Sequence, residues 1–341
     1  MQLQNQELEK LIISLTAENF NLKQQLEKQE RGNILFSDYI YYWLSNHKYK
    51  VKHNSFLCYK SIIDNHIAPY FKKAKIQINQ IKPFTLEEYY KSKLSDNLSA
   101  STISRHHSLI HSTLKYAVKN DIIISNPSDY ADKPKTNKYM ANYISADEIN
   151  RLINAFKNHR MFIPILLAAT LGLRRSEVLG LKWNAIDFKK GTIHVKHTVV
   201  KILQNNQYSL QFSDITKNTS SNRILPLPQN LLVTLKNIKQ QQLQNYINYG
   251  KEYSKEYLGY VCVDNKGVLF TPDNLSNRFA VVVKNTGLNI RFHDLRHSCA
   301  SILADCGMEM KDISEWLWHS DINVTSDIYV HLFYDKKIKI S

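Results

Sequence analysis

The segment DKPKTNKYM, residues 132–140, splits this chain into two parts of different character. It carries Pro134 and three lysines and lacks apolar periodicity, the composition of a basic linker. Just beyond it, Ser145 and Glu148 have the spacing of a helix capping box. Before it the apolar pattern is helical throughout, and Asn126-Pro127 closes that region. After it, helices give way to strands and then return. A chain of 341 residues is long enough for two such domains. The reading is an N-terminal helix over 1–32, a helical domain over 33–131, a linker over 132–141 and a mixed helix-and-strand domain over 142–341.

Residues 3–30 carry a heptad seam, with Leu8, Leu15 and Leu22 at d and Ile12, Asn19 and Leu26 at a. Asn19 is the kind of polar a residue that favours a parallel pair, and Glu18 and Lys23 can meet across it. So short a seam fits either self-association or packing on its own domain. In the helical domain, Phe36, Ile40, Trp43 and Leu44 form one apolar stripe. Tyr59, Ile62, Ile63 and Ile67 form another. On the helix near Ser101–Lys119, Ile103, Ile110, Leu114, Ala117 and Val118 share a face. Ser101, Arg105, Ser108, Ser112, Lys115 and Lys119 share the opposite one. That polar face suits a phosphate backbone, or solvent alone.

Net charge is +15, and residues outside 1–32 hold 41 Lys and Arg against 25 Asp and Glu. The imbalance suits a polyanion such as nucleic acid, or simply a basic protein. Cys58, Cys262, Cys299 and Cys306 form no CxxC pair and no metal spacing, as expected of free thiols in a reducing compartment. The longest apolar run, Met161–Leu173, is too short to span a bilayer and contains Pro164. No basic segment leads into an apolar stretch at the N-terminus, so a cytoplasmic protein with no membrane partner is expected. Without a Walker loop, an HExxH or an Asp/Glu metal cluster, neither cofactor nor metal is expected.

In the second domain, helices are expected over Ser145–Lys157 and Met161–Leu171, and strands over Thr192–Ile202, Tyr208–Ile215 and Arg223–Leu227. Four motifs stand among them. In ATLGLRRSEVLGLKW (169–183), Arg174 opens a helix that Val178, Leu179 and Leu181 anchor in the core. A guanidinium held there can grip two phosphate oxygens, or merely pair with Glu177. In TKNTSSNRILPLP (216–228), polar residues between two strands read as a hairpin bearing Lys217. In FHDLRHS (292–298), His293 and Arg296 sit three apart on one helix face, beside His297. A His–Asp–Arg structural network fits equally well. In EWLWHSDINVTSDIYVHL (315–332), His319 precedes Tyr329 by ten residues.

Together these motifs resemble the tyrosine recombinases, the phage integrase family. The four boxes occur in family order from Ala169 to His331. The resemblance implies a helical core-binding (SAM-like) domain followed by a mixed α/β catalytic domain, closing around duplex DNA. By residue match it assigns Arg174 and Arg296 as phosphate clamps. His293 becomes a phosphate contact or base, Lys217 the general acid, His319 a transition-state donor and Tyr329 the nucleophile. Glu177 and His297 take supporting places. Arg105, Lys115, Lys119, Lys133, Lys135 and Arg175 are candidate DNA contacts. One departure stands out: the family usually has Gly before the histidine of the last box, and this chain has Trp318.

These residue types suit the chemistry. Attack on a phosphodiester builds negative charge that preorganised Arg, His and Lys donors stabilise. A tyrosine phenol needs a base or positive surroundings to attack, and the departing 5′ oxygen needs a proton. The resemblance implies double-stranded DNA as partner and a tetramer on two DNA sites. It leaves room for N-terminal coiled-coil pairing and an excision or directionality factor. It fits a mobile-element integrase first. Chromosome-dimer resolution, a type IB topoisomerase-like activity and a catalytically inactive DNA-binding accessory protein are the alternatives.

Overall fold

The computed structural model describes residues 32–136, 142–204, 207–214 and 223–318. The heptad segment, Lys217, His319 and Tyr329 lie outside the described residues. The chain divides into two compact units, Met1–Lys138 and Tyr139–Ser341. Among the described residues no helix is long and apolar enough to cross a membrane.

The first unit is helical: α1 Phe36–His47, α2 His53–Ile62, α3 Ala68–Lys73, α4 Pro83–Ser95 and α5 Ala100–Lys119. Helix α1 buries Phe36, Ile40, Trp43 and Leu44, the stripe that its spacing predicts, and Tyr39 in addition. A π-helical turn at Ile63–Ile67 joins α2 to α3, where the Ala68 N–H bonds the Ile63 carbonyl. Pro69 follows at once and has no N–H to offer, so the wide turn falls where the regular ladder must break. Ser99 caps α5 by accepting from the Thr102 N–H at 3.2 Å. Ile103, Ile110, Leu114 and Ala117 of α5 are buried, while Ser101, Arg105, Ser108, Lys115 and Lys119 are exposed. The core face also holds His106, which bonds the Tyr89 hydroxyl at 2.9 Å. Burial, with His66 and Lys93 nearby, pushes its pKa down to about 4.

The second unit opens with α6 Ala146–Phe156, α7 Phe162–Leu171 and α8 Arg175–Gly180. The Ser145–Glu148 capping box forms at the start of α6. Strands β1 Ile186–Asp187, β2 Thr192–Val195 and β5 Arg223–Pro226 make one antiparallel sheet in the order β1-β2-β5. Strands β3 His197–Gln204 and β4 Gln207–Asp214 pair separately. Helices α9 Gln229–Tyr249, α10 Pro272–Lys284, α11 Asp294–Asp305 and α12 Met310–Leu317 follow. One core unites α6–α8, the β1-β2-β5 sheet and α9–α11.

Two expectations need correction here. The stretch Thr192–Ile202 is not one strand, because β2 and β3 belong to different sheets. The register ends at Val195 opposite Arg223, so the chain beyond Val195 finds its partner in β4 instead. The hairpin expected between the strands either side of Lys217 is likewise not formed among the described residues, because β4 pairs with β3 and β5 with β2; the segment bearing Lys217 itself lies outside them. Strand β4 has no buried face, whereas β5 alternates buried Arg223 and Leu225 with exposed neighbours and fits against β2. The four cysteines are free thiols, as expected, with Cys262 and Cys299 buried.

Candidate active site

The site grows from a tight junction between α7 and α8. Gly172 ends α7 with a left-handed φ of 64°. A Cβ there would stand 2.4 Å from the Leu317 side chain, so the close approach of α12 requires glycine as well. Two residues on, Arg174 leads into α8 with extended backbone. Its N–H donates to Glu177 Oε2 at 2.9 Å, and its Nη1 donates to Glu177 Oε1 at 2.8 Å. From β5, Arg223 donates Nη2 to Oε2 at 2.9 Å and Nη1 to Oε1 at 3.3 Å. Burial alone would raise the Glu177 carboxyl. The hydrogen bonds and charge of Arg223, then Arg174, overcome it and hold the pKa down to about 2.

Arg296 lies deeper, at 2% exposure on α11. Its Nη1 donates to the Gly172 carbonyl at 2.7 Å and its Nη2 to the Leu317 carbonyl. Arg174 Nη2 donates to the next carbonyl, Trp318, at 2.6 Å. The two guanidinium groups therefore meet at the carbonyl end of α12, where helix geometry leaves acceptors unpaired. Burial, then the charge of Arg174, pushes the Arg296 pKa down to about 9, which still leaves it protonated at neutral pH.

His293 and Arg296 differ in environment, the first exposed and the second buried. The His293 ring meets His297 edge-on at 5.3 Å. Desolvation, then the charges of His297 and Arg296, lowers the His293 pKa, and desolvation lowers that of His297. With Arg174, His293 lines an open cavity of about 650 Å³. Arg175, Arg291, Ser176 and Ser276 supply further polar lining, and Phe279, Ile290 and Phe292 contribute apolar wall. Arg175 is exposed there and donates to Ser276 Oγ at 2.6 Å.

The structure thus gathers Arg174, Glu177, His293, Arg296 and His297 in one region, with Arg175 at its edge. Lys133 and Lys135 are exposed in the first unit, as are Arg105, Lys115 and Lys119. Three further residues escaped the sequence reading. Arg223 joins Glu177 across 46 positions of chain. Arg291 lines the cavity, and Lys201 pairs with Asp273 while sitting 3.6 Å from the Tyr208 ring centre. Arg291 was legible as the residue before FHDLRHS; the other two contacts depend on the fold alone.

Trp318 ends α12 in the left-handed region, with φ 55° and ψ 61°. That conformation is the one glycine adopts without steric penalty. It gives a physical reason for the glycine that the family usually has at this place.

Comparison with known proteins extends this geometry. Residues 142–336 match the model of the phage integrase family, and residues 35–120 match that of the phage integrase N-terminal SAM-like domain. A tyrosine recombinase XerC-like protein of Caldanaerobacter subterraneus is 28% identical over 290 residues, covering 80% of this chain and 74% of its own. The ICEBs1 integrase of Bacillus subtilis is 25% identical over 318 residues, covering 92% of this chain and 83% of its own. In fold, the chain is similar to the Tn1549 transposon integrase in complex with a circular intermediate DNA, with a TM-score of 0.72 at 18% identity. That match covers 90% of this chain and 100% of the other. A lambda integrase dimer bound to a core site gives a TM-score of 0.61 at 15% identity, over 86% of this chain and 76% of the other. The catalytic-domain model alone spans more than half of the chain, and the protein accordingly belongs to the phage integrase family, as a tyrosine-type site-specific DNA recombinase.

Proposed function

We propose that this recombinase integrates and excises a mobile element by cleaving duplex DNA with Tyr329 while Arg174, Arg296, His293, His319 and Lys217 assist. The observation that supports it most is the meeting of Arg174 and Arg296 at the end of α12, beside a cavity that His293 shares with Arg174. The segment with His319 and Tyr329 follows α12 directly in sequence. The scissile phosphate takes over guanidinium donors that now bond the Leu317 and Trp318 carbonyls. Since Arg296 is buried, that exchange requires the end of α12 to shift.

In the reaction, the Tyr329 phenolate attacks phosphorus and the bond to the 5′ oxygen breaks. Lys217 gives that oxygen its proton. The arginines and histidines stabilise charge on the non-bridging oxygens, each donor contributing on the order of 10² to 10³ in rate. The phosphotyrosine keeps the energy of the broken ester, so rejoining runs the same steps in reverse. Likeness to the integrases of ICEBs1 and Tn1549 favours a mobile element over chromosome-dimer resolution, which the XerC-like relative keeps as the second reading. Two DNA sites held by four protomers in the cytoplasm, paired in part through residues 3–30 and steered by an excision factor, complete the proposal.

Covalent trapping tests it. Nicked duplexes from the ends of the protein's own genetic element are incubated with it without added metal and resolved on denaturing gels. A protein–DNA adduct that disappears in Tyr329→Phe is the expected result. Tight DNA binding with no adduct on any such duplex would move the assignment to an accessory protein.

A further inference from the structure

We infer that Arg223 is a positioning residue for strand cleavage, acting through Glu177 to aim the Arg174 guanidinium and keep its charge free for the phosphate. The inference rests on the reading of Arg174 as a phosphate clamp. Nothing in the sequence motifs singles Arg223 out beyond its spacing from Lys217.

The geometry is a saturated carboxylate. Each Glu177 oxygen takes two donors: Oε1 accepts from Arg174 Nη1 and Arg223 Nη1, and Oε2 from the Arg174 N–H and Arg223 Nη2. The carboxylate and the Arg223 side chain are nearly solvent-free, at 2% and 4% exposure, while the Arg174 side chain keeps 33%. Glu177 and Arg223 are therefore fixed, and Arg174 is the member that reaches the cavity.

Charge makes the arrangement more than a brace. A lone Glu177 beside Arg174 would form a neutral pair and cancel much of the field that a phosphate needs. With Arg223 added, the three groups carry one net positive charge. Arg296 bonds the Leu317 carbonyl next to the Trp318 carbonyl that Arg174 holds, so the four groups together carry two net positive charges, with Arg174 alone partly exposed. Such a cluster is costly without an anion and well matched to a phosphodiester. Arg223 also opens β5, six residues after Lys217 in the chain, and so ties the end of the lysine-bearing segment to the arginine box.

The test compares Arg223→Met with wild type on two trapping duplexes, one with the natural scissile phosphate and one with an uncharged methylphosphonate there. On the phosphate, cleavage is expected to fall about 10- to 100-fold, by analogy with the loss of a hydrogen-bond partner that orients a metal ligand. Duplex binding should change less than about threefold, because exposed phosphate contacts dominate affinity. On the methylphosphonate the variant should cleave nearly as fast as wild type, since no charge there needs matching. An equal loss on both duplexes, or no loss on the phosphate, overturns the inference. Should Arg223→Met fail to fold, Arg223→Lys decides: its smaller loss must again be confined to the phosphate. Wild-type adduct formation and its loss in Tyr329→Phe are read in the same gels, so failure of the clamp reading itself is seen separately.

Discussion

Glu177 is the residue on which the described part of the site turns. A carboxylate this deeply buried stays charged only because two arginines surround it, and removing one partner of a buried pair typically costs about 3–5 kcal/mol. Glu177→Ala is expected to lower stability by about that amount in urea titration at pH 7. The pH dependence has a definite sign. The folded pKa of about 2 lies below the ordinary 4.5, so the stabilisation is complete above about 4.5 and is lost as pH falls toward 2. Wild type should therefore lose stability across that acid window more steeply than Glu177→Gln, and matching slopes would argue against the charge on Glu177. The Arg174–Glu177 pair was legible because its members lie three residues apart on one helix start. Arg223 was not, because only the pairing of β5 with β2 brings it to α8.

At the scale of elements, two helix ends decide the site, and both depend on left-handed residues. Trp318 takes at the end of α12 a conformation that disfavours a side chain by about 1 kcal/mol relative to glycine. Trp318→Gly should accordingly be more stable than Trp318→Ala by about 1 kcal/mol in matched thermal melts. The comparison with Ala removes the indole from both sides, and equal stabilities would mean that the backbone relaxes once the ring is gone. At the end of α7, Gly172→Ala has no such ease. Its Cβ would collide with Leu317 and the positive φ adds strain, so a loss of about 1–3 kcal/mol is expected in urea titration. The same change displaces the Gly172 carbonyl from Arg296, and strand cleavage should fall further than duplex binding does. Helix ends with polar caps, such as Ser145–Glu148, were readable from sequence. The strands were harder, since an alternating run looks the same whether it joins one sheet or passes between two, as the chain does at Lys196.

Across the whole molecule, charge and core separate cleanly within α5, and that separation makes the DNA-binding proposal testable without touching the fold. Ile103, Ile110, Leu114 and Ala117 are buried, so the helix is held from one side. Arg105, Lys115 and Lys119 are exposed on the other, where substitutions usually change stability by less than about 0.5 kcal/mol. The division of the chain into a helical and a mixed part was legible because apolar periodicity differs between the two units, whereas His106 in the α5 core was not, since its burial depends on Tyr89 from another helix. If the exposed face lies along a phosphate backbone, each of its cations releases about one counterion on binding. Replacing Arg105, Lys115 and Lys119 together by Gln should then weaken duplex binding at every sequence tested. It should also reduce the slope of log affinity against log salt by about one unit for each cation that meets a phosphate, up to about three. Fluorescence anisotropy over a series of KCl concentrations measures that slope directly. A slope equal to that of wild type would place this face of α5 in solvent and shift the DNA contacts of the first unit elsewhere, with Lys133 and Lys135 the next exposed cations to replace.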